Sequence, residues 1–220
     1  MSFTYPVTLN VLGKPCVVVG GGRVALRKVC SLLESGAAVT LICPEANEEL
    51  RLLAEQGSLV WKQKHYQEKE LDGYFLVIAA TANRAVNSEI AAYCHKHNIL
   101  VNVADSAAES SFIVNACVRR GDLLLAVSTG GQNPALSQRL KSQLEEQFSP
   151  DYAKAVDILN EARTWLKANC AEQAVRERLM QELLEAGIIE MVLAGQIEEA
   201  RKRVRSWTST YSASIIRPRR

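Results

Sequence analysis

The stretch Cys16-Val-Val-Val-Gly20-Gly-Gly22-Arg-Val-Ala25 decides the fold. An apolar run rich in β-branched residues enters three glycines, after which Val24, Val29, Leu32 and Leu33 recur at helical spacing until Gly36. Val39-Thr-Leu-Ile-Cys43 then reads as a second strand closed by Pro44. Together these form a βαβ unit, and strands with no polar alternation are those buried on both faces of a parallel sheet. Gly20, Gly22 and Ala25 fit G-x-G-x-x-A. The first glycine allows the tight turn, the second lets a pyrophosphate approach the backbone, and the small third residue lets helix and strand pack closely. Backbone N–H groups at the start of the helix, at Arg23 and Val24, then meet the phosphate with the helix dipole behind them. The alternative is a tight turn that binds nothing.

Outward from this unit the alternation continues. Glu45 to Glu55 is expected as a helix, Leu59 to Lys64 and Phe75 to Ala80 as strands, Arg84 to His97 as a helix and Leu100 to Val103 as a strand. Phe112 to Arg119 and Leu123 to Ser128 instead read as a hairpin joined through Arg120-Gly-Asp122. Asn133 caps a helix with Pro134 at its first position, continuing to about Phe148. Helical spacing then dominates over Asp151 to Asn169, Glu172 to Ala186 and Ile188 to about Arg205. The expected fold is α/β: a Rossmann-like parallel-sheet domain over residues 1–111, a hairpin and helix region over 112–148, and a helical C-terminal domain over 149–220.

The cofactor reading extends past the glycines. The acidic residue that usually follows the second strand and holds ribose hydroxyls is missing; Cys43, Pro44 and Glu45 stand there, with no Arg or Lys to receive a 2′-phosphate. NAD is therefore favoured over NADP, with these three residues as the adenosine-side rim, although Glu45 reads equally well as a first-turn helix carboxylate. Thr81 and Asn83 follow the strand ending at Ala80, where a hydroxyl and an amide flank a dinucleotide without adding charge, and Asn83 reads equally as a helix N-cap.

The 220 residues, 48% hydrophobic and 23% charged, exclude disorder, collagen and a disulfide scaffold. No two of the six cysteines are closer than 13 residues, so no C-x-x-C pair exists, and their apolar settings suggest buried thiols in a reducing compartment. There is no signal-like N-terminus, and the longest apolar run, Phe75 to Ala80, is too short to span a bilayer; a cytoplasmic protein is expected. The net charge of +2 is unevenly placed: residues 151–200 carry five basic and ten acidic side chains, and residues 201–220 seven basic and none acidic.

Four strings resemble one family in order and spacing: Gly20-Gly-Gly-Arg-Val-Ala-Leu-Arg-Lys28, Ala79-Ala-Thr-Ala-Asn83, Asn102-Val-Ala-Asp105 followed by Ser111-Phe-Ile113, and Ala126-Val-Ser-Thr-Gly-Gly-Gln-Asn-Pro-Ala135. Over about Tyr5 to Phe148 the chain is similar to the precorrin-2 dehydrogenase and sirohydrochlorin ferrochelatase family, including the N-terminal module of siroheme synthases. The resemblance implies NAD-dependent oxidation of precorrin-2 to sirohydrochlorin in siroheme biosynthesis, with iron insertion in some members, and a homodimer that meets through the hairpin and following helix. It implies Asp105 as the catalytic carboxylate, and Asn102, Ser128 and Thr129 beside the tetrapyrrole, in a cleft roofed by the helical domain. One position departs: after Phe112-Ile-Val114 the family commonly has Pro-Ala, where this chain has Asn115-Ala116. At 220 residues the chain is too short for the synthase's methyltransferase module, so no S-adenosylmethionine chemistry is expected.

Dehydrogenation removes a hydride and a proton, so a carboxylate such as Asp105 at a parallel-strand edge, shielded from water by the macrocycle, suits a general base. Its plain alternative is a loop aspartate capping Ser106-Ala-Ala108. No protein metal site is expected: His95 and His97 point about 200° apart on a helix, and His65 lies in a polar stretch. The basic residues Arg201 to Arg205, with Arg217, Arg219 and Arg220, read as complements to a helix C-terminus, as a steering field for a polycarboxylate substrate, or, least favoured, as a nucleic-acid contact. A competing function, a non-catalytic NAD-sensing regulator whose tail holds a partner, stays open at this stage.

Overall fold

Val17 and Val19 turn to one face of β1 (Pro15–Val19) and Cys16 and Val18 to the other, and all four are buried. A strand with no solvent face needs a layer on each side, and the computed structural model, which describes residues 5–215, supplies both. β1 pairs in parallel with β2 (Ala38–Ile42) and β4 (Leu76–Ala79); β3 (Val60–Lys62) and β5 (Leu100–Val103) complete the sheet in the order β3-β2-β1-β4-β5. Helices α1 (Arg23–Glu34) and α2 (Glu48–Glu55) bury Ala25, Val29, Leu32 and Leu50 against one face. On the other, α3 (Arg84–Lys96) and a short 3-10 turn over Glu68–Leu71 bury Ile90, Ala91, Cys94 and Leu71. The direction of winding reverses between β1 and β4, where open α/β sheets bind ligands beyond the strand C-termini.

The outer edge of β5 is closed by the chain itself. Ser110 and Ser111 lie alongside it: the Val101 and Val103 N–H groups donate to the Ser111 and Ser110 hydroxyls (2.8 and 2.9 Å), and the Ser111 N–H donates to the Val101 carbonyl (2.8 Å). Hydroxyls thus replace a neighbouring strand, sealing an edge that would otherwise offer unpaired backbone groups.

The chain divides into two units between Val114 and Asn115. In the second, β6 (Ala116–Arg120) and β7 (Leu123–Val127) form an antiparallel hairpin, followed by α4 (Pro134–Gln147), α5 (Tyr152–Asn169), α6 (Gln173–Glu185), α7 (Ile188–Leu193) and α8 (Ile197–Ile215). Arg120 ties the hairpin to the end of α4, donating from Nε to the Phe148 carbonyl (2.7 Å) and from Nη2 to the Glu145 carbonyl (3.2 Å), a cation placed where helix carbonyls lack partners. Ala155, Ile158, Ala162, Leu183, Ile188, Val192, Ala200 and Val204 form the core of the later helices. The hairpin, α4 and these helices therefore belong to one unit, where the sequence suggested a boundary near residue 148.

Several expected bounds shift for local reasons. The first hairpin strand starts at Ala116 rather than Phe112, because residues before it belong to the β5 edge. α2 starts at Glu48, where Asn47 caps it by accepting from the Leu50 N–H (2.9 Å), so Glu45 is not a first-turn residue. The helix expected from Ile188 to Arg205 is two helices, since Gly195 takes a left-handed conformation (φ 79°) and Gln196 N–H reaches back to the Met191 carbonyl (2.8 Å). α8 runs on to Ile215, so Arg201 to Arg205 stand in its first half and do not complement its C-terminus. Arg201 pairs with Glu161 of α5 (2.5 Å) and Lys202 with Glu199 (3.4 Å), while Arg217, Arg219 and Arg220 lie outside the described residues.

The cysteines are all free; Cys16, Cys43, Cys94 and Cys170 are buried and Cys117 is exposed. Burial pushes the Cys16 thiol up to about 11 and the Cys94 thiol up to about 12. Among the described residues no helix is long and apolar enough to cross a membrane.

Ile158 is fully buried at the centre of the helical core, whereas Leu193 at the end of α7 is 40% exposed. Ile158→Ala should cost roughly 2–5 kcal/mol by urea denaturation, and Leu193→Ala well under half of that.

Candidate functional site

The glycine turn is built so that other loops can come within contact of its backbone. Gly20 has φ 126°, and a Cβ there would stand 2.3 Å from the Ala80 carbonyl oxygen at the end of β4. At Gly21 a Cβ would stand 1.9 Å from the carbonyl oxygen of Glu45, and the Asn47 N–H donates to the Gly21 carbonyl (2.9 Å). Any side chain at these two positions would drive the β2–α2 or the β4–α3 connection away. Gly22 differs: it is extended (φ −89°, ψ −173°), and a Cβ there would meet nothing within 4 Å. The space over the start of α1 is open.

Asparagine side chains cap three other helices: Asn47 caps α2, Asn83 caps α3 and Asn133 caps α4, each accepting first-turn N–H groups. α1 has no side-chain cap and no acidic residue in its first turn. Its leading N–H groups, at Gly22, Arg23 and Val24, thus combine donor capacity, dipole and open approach, which is what a dinucleotide pyrophosphate requires. Ala25, fully buried, packs the helix onto the sheet directly behind them.

Cys43 is buried at the end of β2, its carbonyl accepting from the Trp61 indole N–H (3.1 Å), while Pro44 and Glu45 are exposed beside the glycine turn. The Cys43 thiol is pushed up by burial, partly offset by Trp61. Thr81 donates its hydroxyl to the Asn87 side-chain oxygen (2.7 Å) and receives the Asn83 N–H (3.2 Å), and the Asn83 amide oxygen caps α3. Both side chains hold the β4–α3 turn in shape. Asn87, 1% exposed, completes the clamp by accepting the Thr81 N–H (3.1 Å) and donating to the Thr81 carbonyl (3.1 Å). Sequence reading gave neither Gly21 nor Asn87 a role; the run of three glycines and a polar residue four positions after a helix cap are the signals that point to them.

One strand further out, Asn102 of β5 is 7% exposed and donates to the Phe112 carbonyl (3.1 Å), while its Oδ1 is buried without a hydrogen-bond partner. Asp105 sits in the turn after β5, closed by Ser106 N–H to the Val103 carbonyl (3.2 Å). Its side chain is 57% exposed, so the shielding from water that the sequence reading assigned to it has to be supplied by something bound over it. Arg84, the first residue of α3, stands 3.7 Å from Asp105 and 2.5 Å from Glu109. Hydrogen bonds from Ser88 and Ser106, with the Arg84 guanidinium, hold the Glu109 carboxyl below its ordinary range, against a desolvation effect that pushes it up. Gly20, Gly22, the Cys43–Glu45 rim, Thr81, Asn83, Asn102 and Asp105 therefore share the C-terminal edge of one parallel sheet.

Ser128 and Thr129 belong to the other unit. There the Ser128 hydroxyl accepts from the Gly130 N–H (3.2 Å), and Thr129 brackets the start of α4 by donating to the Asn133 carbonyl (3.0 Å) and accepting the Asn133 N–H (3.1 Å). Among the described residues no three His, Cys, Asp or Glu side chains converge as metal ligands.

Residues 7–116, half of the chain, match a family model described as "Putative NAD(P)-binding". The chain is 35% identical over 195 residues to a siroheme synthase of Nitrosococcus oceani and 36% identical over 196 residues to one of Saccharophagus degradans, in each case over 89% of this chain. It spans only 42% and 43% of those two proteins. Among solved structures it matches SirC, a precorrin-2 dehydrogenase, with a TM-score of 0.75 and 28% identity, covering 92% of this chain and 100% of that one. Motifs, sheet order and these similarities agree, and the chain belongs to the NAD(P)-binding family of the siroheme synthases and precorrin-2 dehydrogenase.

Proposed function

We propose that this chain is an NAD-dependent precorrin-2 dehydrogenase that forms sirohydrochlorin. The observation that carries the reading is the uncapped, open start of α1 at the point where the sheet reverses its winding, with Asp105 two strands away on the same edge. The full-length match to SirC supports the substrate class. NAD is preferred to NADP because no Arg or Lys follows β2 at Cys43-Pro44-Glu45.

Closing the conjugation of the macrocycle removes two hydrogens: one leaves as hydride with its electron pair, and the other leaves as a proton, its electrons entering the new double bond. When bound, the nicotinamide accepts the hydride. The chain's own residues do the rest. The α1 N–H groups fix the pyrophosphate, and with it the reach of the dinucleotide along the sheet edge. The Thr81–Asn87 clamp keeps the β4–α3 turn at a constant height beside it. Asp105 takes the proton at a carboxylate oxygen, and Asn102 offers its unpartnered Oδ1 to an N–H of the substrate or cofactor. In the second unit, Ser128 and Thr129 line the start of α4 as tetrapyrrole contacts, a role carried by the resemblance of their motif.

The protein acts as a homodimer in this reading. Leu136 and Leu140 are 44% and 37% exposed on α4, and Ser137 is the buried residue of that helix, so an apolar face of α4 has no cover among the described residues. Leu136→Glu together with Leu140→Glu should give a monomer by analytical ultracentrifugation; a mass unchanged from the parent protein would refute this interface.

Gly22→Asp tests the cofactor site without harming the fold. The position is extended and roomy, and an Asp there would cap α1, so thermal stability should hold or rise slightly. The same carboxylate would occupy the N–H groups and repel the pyrophosphate, so calorimetric affinity for NAD should fall at least tenfold, about 1.4 kcal/mol.

Mixing the protein with NAD and precorrin-2 under anaerobic conditions should yield NADH absorbance and the sirohydrochlorin spectrum in step; absence of both rejects the dehydrogenase reading. Asp105→Asn should lower kcat by about 100-fold or more, the usual contribution of a general base, with NAD affinity unchanged.

A further inference from the structure

Arg84 is in an electrostatically poor place for helix stability. It is the first residue of α3, where the helix dipole presents its positive end and a cation is unfavourable. What meets it there are two carboxylates from the loop after β5, Asp105 at 3.7 Å and Glu109 at 2.5 Å. Both contacts are ion pairs by distance: Nη2 stands close to Glu109 Oε2, although that oxygen makes no hydrogen bond, and Nη1 stands beyond hydrogen-bond length from Asp105 Oδ1, near enough for Coulomb attraction but leaving the Asp105 lone pairs unused. The loop that carries Glu109 is in turn held to α3: the His95 ring nitrogen sits 2.9 Å from the Glu109 backbone carbonyl oxygen. The backbone of Arg84 is fixed too, by the Asn83 cap and the Thr81–Asn87 clamp at its own turn.

We propose that Arg84 is a positioning residue for Asp105, itself paired with Glu109, keeping the carboxylate oriented while its oxygens stay available for a substrate proton. A general base needs this combination. A directly hydrogen-bonded arginine would occupy the lone pairs that must accept the proton, and no cation at all would leave the orientation of an exposed side chain to solvent. Within this unit the charged groups facing Asp105 are Arg84 from α3 and Glu109 from its own loop, with His95 of α3 next to Glu109.

The inference rests on the dehydrogenase reading for the use made of Asp105, but its test does not. The χ1 couplings of Asp105, its resonances assigned by their loss in Asp105→Asn, are measured by NMR in the parent protein, Arg84→Gln and Arg84→Lys. One rotamer should dominate in the parent and several should average in Arg84→Gln. Arg84→Lys should largely restore the parent couplings, and the difference should shrink as ionic strength rises. In the anaerobic assay kcat should fall roughly tenfold in Arg84→Gln, with KM for NAD unchanged. Couplings that do not change in Arg84→Gln, or that Arg84→Lys fails to restore, overturn the assignment whatever the activity. Couplings that change as expected in a protein forming no NADH support the role of Arg84 and count against the dehydrogenase reading alone.

Discussion

The contact between bare backbone at Gly20-Gly21 and the carbonyls of Ala80 and Glu45 is the constraint on which the site depends. Three connections, after β1, β2 and β4, have to converge at one end of the sheet for a dinucleotide to lie across them. Side chains would hold them apart by the diameter of a methyl group or more. With Cβ separations of 2.3 and 1.9 Å from carbonyl oxygens, neither position has an alternative to glycine, and the first is doubly bound by its positive φ. The buried strands and the small Ala25 serve the same end, keeping α1 low on the sheet so that its N-terminus, and not its flank, faces the opening.

Side-chain caps stand at the starts of α2, α3 and α4 and are missing from α1, α5, α6 and α7; of these uncapped starts, that of α1 follows the glycine turn. Capping a helix start with asparagine stabilises it by roughly 0.5–2 kcal/mol relative to alanine. α2, α3 and α4 have that stabilisation; α1, anchored by Ala25, Val29 and Leu32, does without it. Burial carries the helix, so its first N–H groups remain available for a ligand. At β5, similarly, serine hydroxyls close the sheet edge while the side-chain amide oxygen of Asn102, on the same strand, is left without a partner. Unsatisfied polar groups are costly inside a protein, and one of them, the Asn102 Oδ1, lies on the strand that leads to Asp105.

Features with a local signature were legible in the sequence. The apolar runs around Val17 and Val77, the glycine turn, the hairpin about Gly121 and the Asn133-Pro134 helix start each depend on neighbours a few residues apart, so periodicity and turn chemistry report them. What was not legible depends on distance along the chain. Gly21 matters because of Glu45 and Asn47, and the loop that binds Arg84 to Asp105 and Glu109 spans more than twenty positions. The break at Gly195 is a different failure: a lone glycine inside a helical pattern is tolerated often enough that only its left-handed conformation, with Gln196 reaching back to Met191, reveals a stop.

Charge arithmetic misjudges this molecule for the same reason. Residues 1–150 carry as many acidic as basic side chains, which would suggest indifference to a polyanion. The groups that fit the pyrophosphate are backbone dipoles, which formal charge does not count, and they act without a compensating side chain that would have to be desolvated. The formal charges near the site are placed for another purpose: Arg84, Asp105 and Glu109 sit together at the outer strand, half open to water. In that setting each pairwise attraction is small, so the cluster contributes little to stability, and what it can govern is where the exposed Asp105 carboxylate stands relative to the sheet edge.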